Sequence, residues 1–190
     1  ASVTTIQKAN SVAAQNIAIN VPNQPLGGFE TDIKGEAMTV QSMVFNIATT
    51  SGALRLTNVT IVDENGSVIA GPVDSTYVSS GASTLTFSDS ITIPIGKKTY
   101  KLLGKVQSDS SNGATYIVST TPSAWGNVRG DVTGNTITIS QGAFAMNTMT
   151  IRAGAVAIGR ASSPASQTVT PGGTSVLMTN FQFDATQSGE

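Results

Sequence analysis

Apolar and hydroxyl residues alternate along most of this chain with a period of two. Leu85 and Phe87 alternate with Thr84, Thr86 and Ser88, and Ile91, Ile93 and Ile95 alternate with Thr92 and Pro94. Tyr100, Leu102 and Val106 are interleaved with Lys101 and Lys105, and Ile137 and Ile139 with Thr136 and Thr138. Successive side chains of a strand point to opposite faces, so this pattern predicts strands with one buried and one wetted face. Threonine suits the wetted face, because its β-branch fits the pleat while its hydroxyl stays in water. With 26 Thr and 22 Ser in 190 residues, the composition carries the same message.

Three stretches change phase midway. In 38–47 the apolar set switches from Met38 and Val40 to Met43, Phe45 and Ile47. In 53–62 it switches from Leu54 and Leu56 to Val59 and Ile61, and in 144–151 from Phe144 and Met146 to Met149 and Ile151. A β-bulge resets alternation by one residue, and a strand buried on both faces gives the same pattern. Asp63-Glu64-Asn65-Gly66 predicts a hairpin turn. Gly96-Lys97-Lys98, Ser110-Ser111-Asn112-Gly113 and Thr133-Gly134-Asn135 predict further turns. Turns every 10–20 residues with short strands between them predict an all-β, antiparallel sandwich. Ser11–Ile19 has some helical character, but its Asn residues with Pro22 and Pro25 argue against a helix.

Composition removes several chemistries. The chain has no Cys and no His, so disulfides, thiolate or imidazole metal sites and the Ser-His-Asp triad are excluded. A net charge of −1 gives no basic face for nucleic acid or an anionic membrane. No run of 18 apolar residues is present, which gives no expectation of membrane insertion. Charged residues are 11%, against roughly 25% in a typical domain, and aromatics 5%. Many Thr, Ser, Asn and Gln with few Lys and Glu point to an exported, extracellular protein. The start at Ala1-Ser2-Val3 reads as a mature terminus or a cut within a longer chain.

The carboxylates fall mostly in turns (Asp63, Glu64, Asp74, Asp89, Asp109, Asp131), which predicts solvated turn residues and no enzyme. No cofactor is expected. Calcium is the one ion to weigh, at Asp63–Gly66, Asp109 with Asn112, and Asp131 with Asn135, although none has EF-hand spacing. Met38, Met43, Met146 and Met149 read as core filler. Loop 120–133 holds Trp125 and the triplet Arg129-Gly130-Asp131. Trp125 and Arg129 are the candidate ligand contacts, with anchoring of the loop as the other role for Trp125.

The chain also repeats itself. Residues 4–15 read TTIQKANSVAAQ and residues 156–167 read VAIGRASSPASQ. At an offset of 152, Ile6 meets Ile158, Lys8 meets Arg160, Ala9 meets Ala161 and Gln15 meets Gln167. With two residues inserted, Phe29-Glu30 lies over Phe183-Asp184 and Gly35-Glu36 over Gly189-Glu190. This predicts a linker or terminal strand over 1–20, a sandwich module over 21–155, and a linker plus first strand of a further module over 156–190. Val176, Met178, Phe181 and Phe183 then form an apolar strand without the rest of a domain. Either the chain continues, or this strand is donated to a neighbouring molecule.

The segment SSPASQTVTPGGTSVLMTNFQFDATQSGE at 162–190 and its echo at 11–36 resemble the linker and first strand of tandem immunoglobulin-like repeats of large bacterial extracellular proteins, surface-layer proteins among them. The resemblance implies an immunoglobulin-like sandwich, secretion, a cell-surface location and a scaffold or adhesive role. The leading expectation is a structural subunit of an extracellular filament or surface layer, with copies of itself or adjacent repeats as partners. The alternatives are an adhesin or carbohydrate-binding module that meets a glycan or host surface through loop 120–133, and a virion structural domain.

Overall fold

The computed structural model describes residues 1–50, 52, 54–154 and 157–184. The chain begins with β1 (Ser2–Lys8), β2 (Asn16–Ala18), β3 (Gln24–Lys34), β4 (Met38–Val40), β5 (Met43–Thr49) and β6 (Leu56–Val62). There follow β7 (Val68–Val73), β8 (Thr76–Ser79), β9 (Ala82–Phe87), β10 (Ile91–Ile93), β11 (Gly96–Val106) and β12 (Thr115–Thr120). The last are β13 (Arg129–Gly130), β14 (Phe144–Ala145), β15 (Met149–Arg152), β16 (Ala157–Arg160) and β17 (Phe181–Asp184). A 3-10 turn at Pro122–Ala124 is the one helical element among the described residues, and no helix there is long and apolar enough to cross a membrane.

Two sheets make the sandwich. The first is five-stranded, in the order β1-β3-β11-β6-β7, and antiparallel throughout. The second is seven-stranded, in the order β2-β15-β12-β5-β9-β8, with β14 also on β12. Its pairs are antiparallel except β15 with β2, which run parallel. A small sheet, β10-β4-β13, closes one end. The all-β antiparallel fold is therefore as the alternation predicts. Of the two expectations for residues 1–20, linker or terminal strand, the structure has strands that belong to the sandwich. β1 and β2 join different sheets, and Ile6, Ala9, Val12 and Ile17 lie in the core.

Each phase switch has its own cause. Between Val40 and Met43 the chain leaves the small sheet for the seven-stranded one, so the inward side changes without a bulge. In β6 a bulge is present: Leu103 faces Thr60 but Lys105 faces Thr57, with Asn58 at φ 51°. The Asp74 carboxylate accepts the Asn58 N–H at 2.7 Å, which satisfies the bulged backbone. Between β14 and β15 one residue is again extra, since Ser119 faces Ala145 and Tyr116 faces Met149.

Asp63–Ser67 forms the predicted hairpin turn, with Gly66 at φ +82° and the Asp63 carboxylate accepting the Asn65 and Ser67 N–H groups. Gly96-Lys97-Lys98 is not a turn; it opens β11, whose Lys97 and Lys98 pair with Asp32 and Thr31. Ile95, expected inside, lies outside the strands and is exposed. Ile137 and Ile139 pack on the core from a loop and not from a strand.

The centre of the core is aromatic. Phe29 on β3 stacks on Tyr100 at 5.1 Å and meets Phe45 of the opposite sheet at 5.8 Å and Trp125 at 5.9 Å. Phe45 meets Phe87 edge-on at 5.8 Å. Met38, Met43, Met146 and Met149 are all buried around them. Phe29→Ala is expected to lower stability by about 3–5 kcal/mol, read as a fall in the urea midpoint at unchanged slope.

Candidate interface: a second copy of the first hairpin

In the first hairpin Lys8 pairs with Phe29, Gln7 with Glu30, Ile6 with Thr31 and Thr5 with Asp32. In the last hairpin Arg160 pairs with Phe181, Gly159 with Gln182, Ile158 with Phe183 and Ala157 with Asp184. Every pair is shifted by 152 on both strands. The closing hydrogen bond is shifted likewise: Ala9 N–H to Gly28 O and Ala161 N–H to Asn180 O, both 3.0 Å. So are the strained positions of the connecting segment. Asn20 at φ 65° corresponds to Gly172 at φ 81°, and Asn23 at φ 57° to Ser175 at φ 58°. Few non-glycine residues adopt such angles, so their coincidence is a structural signature.

The structure corrects the alignment made from sequence. No two-residue insertion separates the copies over these strands, and Phe181, not Phe183, stands over Phe29. An unbroken offset of 152 puts Phe29 on Phe181 and an insertion of two puts it on Phe183; both fit the same alternation, and the strand pairing selects the unbroken offset. Gly189 and Glu190 lie outside the described residues. One full period is 152 residues, and Ala153 follows directly on the last residue of β15.

The two copies differ in what covers them. Ile6, Leu26 and Phe29 are 4%, 1% and 1% exposed, whereas Ile158, Met178 and Phe181 are 67%, 74% and 70% exposed. Phe183 is 70% exposed and Val176 half-buried. Thus the four residues expected at a module interface are together in one hairpin and its approach, largely in solvent. Burial of each Phe or Met is worth about 1.5–3 kcal/mol that this hairpin leaves unrealised. The Gln167 amide donates to Leu177 O at 2.9 Å and ties the connecting segment across itself.

The other candidates are placed differently. Trp125 is 6% exposed and its Nε1–H donates to Thr120 Oγ1 at 2.9 Å, while that hydroxyl donates to Val44 O at 2.8 Å. The indole anchors loop 120–133 on the core. Arg129 is exposed on β13, paired with Thr39, beside a cleft of about 280 Å³ that Trp125 also lines. Arg129-Gly130-Asp131 therefore lies at a sheet edge, where Asp131 accepts from Thr39 Oγ1 at 3.2 Å. Of the oxygen-rich turns, Asp63 caps its own hairpin, Glu64 pairs with Lys98 at 2.5 Å, and Asn112 accepts the Ala153 N–H at 3.1 Å.

Sequence reading missed Glu36. Its carboxylate accepts from the Ala1 ammonium, the Val132 and Thr133 N–H groups, and the Thr133 hydroxyl, at 2.8–2.9 Å. The ammonium first, then the Thr133 contacts, hold its pKa at about 2 against an ordinary 4.5. A depressed folded-state pKa contributes stability above the ordinary value that is lost as pH falls through the depressed one. The Tyr116 hydroxyl is enclosed with no hydrogen-bond partner among the described residues, and desolvation pushes its pKa well up.

No family model matches the chain, and no curated protein matches it. Similar solved structures include a chain of a complex between a CaDoc0917 variant and CaCohA2 at pH 5.5, with 13% identity over 77% of this chain and 99% of that one, TM-score 0.33. AvmM, which catalyses macrocyclization in alchivemycin A biosynthesis, has 9% identity over 77% of this chain and 89% of that one, TM-score 0.33. A DUF4466 family protein from Parabacteroides merdae has 11% identity over 84% of this chain and 47% of that one, TM-score 0.31. Likenesses this distant carry no argument about function.

Two outcomes are expected. Phe181→Ala should change the sandwich's urea midpoint by less than about 0.5 kcal/mol equivalent, in contrast to Phe29→Ala. Glu36→Gln should be less stable than the parent at pH 6, with the difference closing as pH falls from about 4.5 to 2; melting temperatures across that range check it.

Proposed function

We propose that this chain is a non-enzymatic structural module of an extracellular array, a filament or surface layer, built from sandwiches joined end to end. One observation carries the reading: residues 157–184 reproduce the first hairpin in register and backbone angles, yet hold its apolar face in water. A chain with a single sandwich has no use for a second opening hairpin. An array does, because each period supplies the start of the next. The composition supports the same reading. Few charges and many Thr hydroxyls give a surface of strands, suited to a protein that works outside the cell by its shape and strength.

Electron microscopy of the native material, labelled with an antibody to residues 1–152, tests this. The expected result is a filament or lattice at the cell surface with a regular spacing. Lone particles, or label confined to the cell interior, overturn it.

A further inference from the structure

Residues 157–184 already have the strand pairing and turn angles of residues 5–32, so their apolar face has a known complement. In the first copy that complement is the rest of the module. Phe29 sits among Phe45, Tyr100 and Trp125, and β3 pairs along β11 from Gly96 to Gly104. In the last hairpin, Phe181 has Phe29's place and the outer edge of β17 has no strand on it among the described residues. We infer that the hairpin Ala157–Asp184 is a docking element whose occupant is a second copy of the module body, residues 33–152, seated as the first body sits on residues 5–32. The hairpin would then give its β17 edge to the β11 of that second body and Phe181 to its aromatic cluster.

The match is close but not complete. Thr31, buried in the first copy, is replaced by Phe183. A ring in a hollow shaped for threonine overpacks it. The body that fits best therefore has the plan of this module with more room opposite Phe183. Thr179 and Asn180 stand where Gly27 and Gly28 lie in the first copy, and a Cβ at those glycines would come within 2.6 Å of Met146 Sδ and 3.0 Å of Tyr100 O, so the occupant must yield there as well. Val169 replaces Ile17 and Met178 replaces Leu26 conservatively, and Ile158 and Asp184 are identical to Ile6 and Asp32.

This inference rests on the modular reading above, and its test separates the two. Residues 1–184 are followed directly by a second copy of residues 33–152, in one form unchanged and in another with Thr179→Gly, Asn180→Gly and Phe183→Thr. The parent 190-residue chain is the reference. In at least one form, the amides of Phe181 and residue 183 should gain about 100-fold or more in hydrogen-exchange protection over the parent. Phe181→Ala should then shift the unfolding of the second body alone, as Phe29→Ala shifts that of the first. If in both forms the added body is cleaved at once by protease while the first sandwich persists, the inference is overturned. It is equally overturned if the second body folds but ignores Phe181→Ala. Neither result bears on whether the native material forms an array, which the micrographs decide separately.

Discussion

Phe29 holds this sandwich together from its middle. It leaves one sheet, stacks on Tyr100 of the same sheet, and meets Phe45 of the other and Trp125 from the connecting loop. A chain with 5% aromatics has few such rings, and it has concentrated them where the sheets face each other. The surrounding Met, Leu and Ile side chains fill the remaining space with no polar atoms to satisfy. Positions far from the centre depend on the same contact. Trp125 brings loop 120–133 down with it, and Thr120 and Val44 take the indole's hydrogen bond onward into β12 and β5.

The alternation of apolar and hydroxyl residues was enough to read the strand-rich fold, because it reports directly which side of each strand meets water. Phase switches were legible as events but not as kinds. A bulge in β6 and a change of sheet between β4 and β5 leave the same trace in sequence, and only the neighbours distinguish them. Gly96-Lys97-Lys98 looked like a turn from its composition, yet pairing with β3 draws these residues into β11. Trp125 could have been a contact or an anchor; a buried partner for its N–H, invisible in sequence, made it an anchor. The repeat and its offset of 152 were visible from matching residues, but whether that offset runs unbroken into the second strand was not. Two phenylalanines two positions apart fit the pattern equally, and the hydrogen-bond ladder chose between them. Glu36 left no signal, because the groups around it come from residues 35 to 97 positions away.

The two hairpins separate local from tertiary contributions to one structure. Ladder pairing and left-handed angles recur at matching positions of the two hairpins, although the second has no covering sheet among the described residues. What is missing in the second copy is burial. A lone two-stranded hairpin is marginal in water, and an apolar face left open on it is a demand for company. The same sequence plan is therefore buried in its first copy and exposed in its second among the described residues.

The parallel contact between β15 and β2 has a mechanical meaning. Ile151 lies beside Ile17, Ile19 N–H donates to Arg152 O at 2.8 Å, and Thr150 N–H donates to Gln15 O at 3.0 Å. Once β1 is drawn off β3, tension that reaches β2 and leaves at Arg152 drags β2 and β15 past each other along their length. Bonds loaded sideways in this way share the pull and yield together, whereas bonds at the mouth of an antiparallel hairpin yield in turn. A tether made of such units would resist stretching up to a threshold and then give way one unit at a time.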